Sequence, residues 1–311
     1  MIILFHKNNI TTKVLNADKN QISFIPNKSI AFVMMQLAVQ FPNQKIVWCH
    51  QEYSDQLNIA GLSKLTPHHK MLLSYNPSYC NYFGNSIGYV EDSPYINVNK
   101  NVSYPTWQMS SLVGVLHASV LIAFKDKIKL DLDFDYYLNS IAKIGMPLGL
   151  LCYSEPKLLI AIPTILVSEV SVFKLFRFVK QHYKMRWLIL LLINLLVNEF
   201  RFPFLAFINA FFFKNRNKIA VSLGRISFLS NRSVVQQATV DVIIPTIGRK
   251  KYLYDFLKDL AQQTHLPINV IIVEQNLQKG SVSELDYLNK EKWPFAIKHT
   301  FINQAGVCNA R

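Results

Sequence analysis

Glu274, Gln275 and Asn276 close the run "INVIIVEQN", a carboxylate beside two amides at the end of a strand-like stretch. These are polar groups at a carboxyl edge, and in open α/β sheets ligands sit at that edge of the strands. Three basic residues, Arg249, Lys250 and Lys251, follow "PTIG"; they suit either phosphates or a solvated helix start. Asp131, Asp133 and Asp135 alternate through "DLDFDYYLNSIAKIGMPLGLL", and carboxylates there suit the positive end of a helix. His50 and Glu52 lie in "KIVWCHQEYSDQLN", which by its residues alone is a polar loop after an apolar run. Trp107 sits in a Tyr/Asn/Ser/Pro-rich stretch that reads as loops and short strands, where packing is its expected role. Neither GxGxxG nor GxxxxGK[ST] occurs, so the dinucleotide fingerprint and the P-loop are both absent. The four cysteines, Cys49, Cys80, Cys152 and Cys308, lack CxxC or zinc spacing and read as reduced thiols in a cytosolic setting.

The elements that must position these groups follow from periodicity. "VDVIIP" is a β-branched run suited to a buried parallel strand. "TIGR" makes a turn, and "KKYLYDFLKDLAQQT" is a helix with Leu253, Phe256, Leu257 and Leu260 on one face; "INVIIVEQN" is the next strand. Near the N-terminus "MIILF" reads as a first strand. Ile30, Val33, Met34, Leu37 and Ala38 recur at helical spacing until Pro42 and Asn43, and "KIVWCH" follows as a buried strand. Helix, short turn and strand in succession are an α/β signature. "LVGVLHASVLIAF" is either a buried helix or a strand pair, and the aspartate-led stretch after it is an amphipathic helix stopped by Gly145 and Pro147.

The chain of 311 residues is half apolar, with 17% charged residues and a formal net charge of +14. That composition excludes disorder and implies an anionic partner, whether nucleic acid, membrane surface or phosphate-bearing substrate. The basic residues concentrate at Lys174, Arg177, Lys180, Lys184 and Arg186, beside Phe173, Phe176, Val179 and Tyr183 at helical spacing. The apolar run from Trp187 to Val197 is too short to span a bilayer. Extending it to Phe213 would bury Glu199 and Arg201, at about 2.5–3.5 kcal/mol each. The reading favoured is therefore helices in an anionic membrane interface, with buried core helices and a true span as the other two. Basic residues beside Leu/Phe runs, with no recognition motif, point away from nucleic acid. No signal peptide is read at the N-terminus, so the expected place is the cytoplasm, peripheral at the inner face of the membrane.

The C-terminal stretch resembles the opening of a family 2 glycosyltransferase of the GT-A fold. The pieces that carry it are "VDVIIPTIGR", the "LKDLAQQT" helix, "INVIIVEQN" and "INQAGVCNAR", in order over about 72 residues. The resemblance implies a Rossmann-like unit, incomplete here, that binds a nucleoside diphosphate sugar and transfers the sugar to a glycan or lipid-linked acceptor with inversion. It implies that Pro245 and Thr246 approach the base, that Glu274 binds the uracil or ribose, and that Asn303, Gly306 and Arg311 form the third motif, with Arg311 near the nucleotide's charge. It also implies a divalent metal, Mg²⁺ or Mn²⁺, on a DxD motif, and a later carboxylate base.

Neither the DxD nor the base follows "INQAGVCNAR" in this sequence. The expectation is a fragment of a longer enzyme, inactive as it stands, unless the first domain supplies that chemistry. Residues 1–215 bear a weaker resemblance to the same fold. It would set His50 and Glu52 near the metal carboxylates and Asp133 or Asp135 as the base. The expected organisation is a divergent α/β domain over 1–160, basic and apolar helices over 161–218, a linker over 219–239 and the glycosyltransferase segment over 240–311. The rival is a non-catalytic, membrane-associated scaffold or partner-binding module.

Overall fold

The computed structural model describes residues 1–78, 81–91, 98–161, 170–226, 239–276, 278, 280–303 and 306. The chain divides into two compact α/β units, Met1–Leu229 and Ser230–Arg311.

The first unit is built on seven strands: β1 Ile2–Lys7, β2 Ile10–Asn16, β3 Lys45–His50, β4 Met71–Tyr75, β5 Tyr104–Pro105, β6 Val113–His117 and β7 Leu151–Ser154. Their order across the sheet is β2-β1-β3-β6-β4-β7-β5. β1 runs parallel to β3 and β4 parallel to β7, while β6 is antiparallel to both β3 and β4. Successive side chains on a strand point to opposite faces, and here both faces are dry. Ile2, Leu4, Ile46, Trp48, Leu72 and Leu116 join one core, and Ile3, Phe5, Val47, Cys49, Leu73 and Val115 join another. This explains why the strands read as near-continuous apolar runs.

The larger core is covered by α1 (Ile30–Gln40), then, after the single-turn α2 (Leu62–Leu65), by α3 (Ala118–Phe124) and α4 (Phe134–Gly145). Ser29 caps α1, its Oγ accepting from Phe32 N–H at 3.4 Å. All five residues at helical spacing on α1 are buried. "LVGVLHASVLIAF" is neither of the two expected forms: it is strand β6 running directly into helix α3, with the His117 side chain capping the helix by accepting from Ser119 N–H. Gly114 lies where β6 passes under Trp48. A Cβ there would stand 2.1 Å from the indole and 2.5 Å from the Leu73 carbonyl oxygen.

Three further helices, α5 (Val172–His182), α6 (Met185–Asn198) and α7 (Phe204–Ala210), belong to the same unit. The interface reading needs correction at α5. Leu175, Phe176, Phe178 and Val179 are core residues, and Trp107 stacks on Phe178 with ring centroids 5.4 Å apart. Trp107 is therefore a packing residue. Only Phe173 of the expected apolar stripe faces solvent on α5. In α6, Leu188, Leu191 and Leu195 face the core while Ile189, Leu190, Ile193 and Val197 are exposed. Among the described residues no helix is long and apolar enough to cross a membrane. Val221, Leu223 and Ile226 pack into this core, so the start of the expected linker is part of the first unit. Residues 227–238 of that linker lie outside the described residues.

The second unit is a three-stranded parallel sheet, β8 (Asp241–Ile247), β9 (Asn269–Gln275) and β10 (Ala296–Ile302), in the order β10-β9-β8, with α8 (Lys250–Ala261) and α9 (Tyr287–Lys290). Leu253, Leu257, Val270, Ile272, Leu285, Leu288 and Phe295 form its core. Phe256, expected on the same helix face, is exposed, as are Ile243 and Ile247 on the other side of β8. β8 is thus a half-buried strand in this unit, although its sequence suits burial on both faces.

Candidate active site

In the second unit, β8 ends in a turn where Gly248 takes φ +58°. That left-handed conformation is one glycine adopts without steric cost, and it turns the chain into α8 within two residues. The parallel register sets Thr246 beside Glu274 and Glu274 beside Phe301. Registered neighbours share a face, so Thr246 and Glu274 lie together on the helix-covered face, one step beyond the core row of Ile244 and Ile272. Pro245 is exposed and belongs to the opposite face. The structure brings together two of the three groups expected at this edge.

Glu274 is buried, unlike the solvated strand end that its position suggests. Its Oε2 accepts from Ser283 Oγ at 2.5 Å and from His299 Nε2 at 3.0 Å, and its Oε1 from Glu284 N–H at 3.3 Å. Next to it, Gln275 clamps Gly306: its Nε2 donates to the Gly306 carbonyl at 3.0 Å and its Oε1 accepts from Gly306 N–H at 3.3 Å. Gly306 has φ +148°. The third motif is thereby tied to the carboxyl edge of β9 through its glycine. Asn303 is exposed just past β10, and Arg311 lies outside the described residues.

Sequence reasoning missed Ser283, His299 and the amide clamp. His299 is registered with Ile272, two residues before Glu274 on the neighbouring strand, so the pair is a diagonal contact on one face. The signal was a lone imidazole in "AIKHTFI", usable only once the register of β10 was fixed.

In the first unit the expected residues gather at the carboxyl ends of β1 and β3. His50 ends β3, and its Nδ1 accepts from Glu52 N–H at 3.4 Å, while Glu52 pairs with Lys7 at 3.4 Å. His6, at the end of β1, is buried, with its Nε2 2.7 Å from the Ser111 carbonyl oxygen and its Nδ1 without a partner. Burial pushes its pKa down to about 4, with His50 acting in the same direction. Among the described residues no group of three or more His, Cys, Asp and Glu could hold a metal ion.

The three aspartates have separate tasks. Asp131 pairs with Arg177. Asp133 caps α4, accepting from Tyr136 N–H at 3.2 Å and Tyr82 Oη at 2.6 Å, and pairs with Lys174. Asp135 accepts from Ser111 N–H and Ser111 Oγ, each at 2.7 Å. Burial raises its pKa to about 6 against the Ser111 hydrogen bonds, which lower it. The Asp135 carboxylate is thus poised near neutrality, whereas Asp133 is committed to a cap and a cation. Cys49 and Cys152 are free, buried thiols, with burial pushing Cys49 up to about 12; Cys80 and Cys308 lie outside the described residues.

No curated protein and no solved structure matches the chain. Against protein families, residues 241–311, the segment that forms the second unit's sheet, match the model of Glycosyl transferase family 2.

Proposed function

We propose that the chain belongs to an enzyme that transfers a sugar from a nucleoside diphosphate sugar to a glycan or lipid-linked acceptor, with inversion. The observation that carries this is the row of Thr246 and Glu274 at the carboxyl edge of a parallel sheet inside the matched segment. That edge is where open α/β sheets hold ligands, and Glu274 offers a carboxylate to base or ribose donors. Arg311 remains a candidate for the nucleotide's charge.

The family resemblance implies Mg²⁺ or Mn²⁺. Hard cations need several oxygen ligands. Glu274 is a single carboxylate with Oε2 already taken, and His50 and Glu52 are engaged with each other's segment and with Lys7. The described residues do not fit a divalent cation, and no step is routed through one. In the first unit Asp135 is the better candidate base. Its pKa of about 6 lies near neutral pH, where a general base works best.

The peripheral membrane reading rests on α6 and α7. Ile189, Ile193, Val197, Leu205, Ile208 and Phe212 are exposed, and residues 172–218 carry nine Lys and Arg against one acidic residue, Glu199. An apolar face beside that charge suits an anionic lipid surface.

Two experiments test these readings. Titration calorimetry of the full chain with UDP, GDP, CDP and dTDP should show saturable binding of at least one, weakened about tenfold or more by Glu274→Ala. Binding of none rejects the nucleotide reading. Co-sedimentation with vesicles of phosphatidylglycerol should exceed that with phosphatidylcholine and fall with Ile193→Lys and Leu205→Glu together. Equal recovery of variant and parent from both vesicles rejects the membrane reading.

A further inference from the structure

We propose that His299 and Ser283 are positioning residues for Glu274: they hold one carboxylate oxygen and leave the other to accept from the base or ribose of a nucleoside diphosphate. The proposal rests on the nucleotide reading of this edge.

The two oxygens of Glu274 are in unequal surroundings. Oε2 receives the Ser283 hydroxyl at 2.5 Å and His299 Nε2 at 3.0 Å. Among the described residues Oε1 has only the Glu284 N–H at 3.3 Å. Each carboxylate oxygen offers about two acceptor sites, so Oε2 is filled and Oε1 keeps capacity. To donate to Glu274 Oε2, His299 must carry a proton on Nε2. Ser283 has no choice of direction either, because its Oγ accepts from Leu285 N–H at 3.2 Å and its own proton goes to Glu274.

Two separate segments therefore converge on one oxygen. Ser283 comes from the loop between β9 and α9, and His299 from β10. A core role alone does not account for this. Val270 and Ile272 precede Glu274 on the same face of β9, and an apolar side chain would continue that row without the cost of a desolvated charge. The side chain of Glu274 is 10% exposed, so its solvation comes mainly from Ser283, His299 and Glu284. Donors that fix a carboxylate before the ligand arrives reduce the ordering cost of binding.

The test uses the full chain and titration calorimetry, with the tightest binder among UDP, GDP, CDP and dTDP, and with inorganic pyrophosphate, which lacks base and ribose. Glu274→Gln sets the scale. His299→Ala should weaken the nucleoside diphosphate about tenfold, as expected for losing a hydrogen bond to a charged group. Ser283→Ala should weaken it about threefold or more. His299→Gln, which keeps an N–H donor, should stay within about threefold of the parent. Pyrophosphate affinity should not change in any of them. If Glu274→Gln loses affinity while His299→Ala and Ser283→Ala do not, the positioning proposal falls and the nucleotide reading stands. Equal losses on pyrophosphate would also overturn it, since general damage to the unit would explain them. If the parent chain binds none of the four nucleotides, the underlying reading fails and takes this proposal with it.

Discussion

The two sheets of this chain are built from similar apolar runs and differ in how they are covered. In the first unit alternate residues of β1, β3, β4 and β6 enter two separate cores, one on each face. In the second unit a single core lies on one face, and Ile243 and Ile247 on the other face of β8 are exposed. A doubly wound parallel sheet is dry on both sides. Strand sequence therefore reports what a strand is suited to, and only the covering elements decide how much of it is realised. The second unit should be the weaker of the two.

Matched core truncations test that difference most directly. Leu37 and Leu257 are both fully buried on helices. Leu37→Ala should cost about 4 kcal/mol and Leu257→Ala about 2 kcal/mol, the upper and lower parts of the usual range, because a half-covered unit relaxes around a cavity more easily. Calorimetric melting of each variant checks this, and equal losses would remove the contrast. Gly114→Ala should cost the first unit about 3 kcal/mol by overpacking, since both neighbours of the added methyl are rigid. The first unit's melting midpoint should drop by roughly 6–12 °C while the second unit's stays in place.

Acid sharpens the comparison further. His6 and His117 are held near 4 and His182 well below its ordinary value, all by burial. A histidine kept neutral contributes stability above its unfolded value of about 6.5, and that contribution is lost as pH falls towards 4. Asp135, raised to about 6, works the other way, because its protonation as pH falls relieves a buried charge. Three imidazoles outweigh one carboxyl, so the first unit should lose stability between pH 6.5 and 4. In the second unit Asp286 is lowered to about 2 by its hydrogen bond from Lys290, and its contribution persists until below pH 4. Circular dichroism melts at pH 7, 5.5 and 4.5 would show the first transition moving down before the second. The smallest expected effect is at the β8 turn: Gly248→Ala should cost about 1 kcal/mol from backbone strain alone, since a Cβ there meets nothing within 4 Å.

What was legible in the sequence was local. β1, α1, β3, α8 and β9 follow from runs and helical periodicity within single segments, and the resemblance over the C-terminal stretch agrees with the family match. The rest depended on pairings between distant segments. The basic face of α5 was visible, but Phe178 turns inward against Phe83 and Trp107, and Phe176 against Phe207. "LVGVLHASVLIAF" defeats periodicity because strand and helix share one apolar stretch without a turn. Glu274 stood out, whereas Ser283 and His299 could not, since their contact depends on a loop closure and a strand register. Asp133 and Asp135 looked equivalent until Tyr82 and Lys174 were found on one and Ser111 on the other.

The contact between Trp48 and Gly114 carries a consequence for the ancestry of the first unit. The indole fills the space that any side chain at 114 would need, and its N–H is anchored to the Ser110 carbonyl at 3.0 Å. Position 114 cannot gain a side chain while the tryptophan stands. A smaller residue at 48 would remove the indole but leave the Leu73 carbonyl oxygen 2.5 Å from a Cβ at 114, so glycine is held there by backbone as well as by the ring. Glycine at 114 should therefore outlast changes at 48, and tryptophan at 48 should never occur together with a side chain at 114.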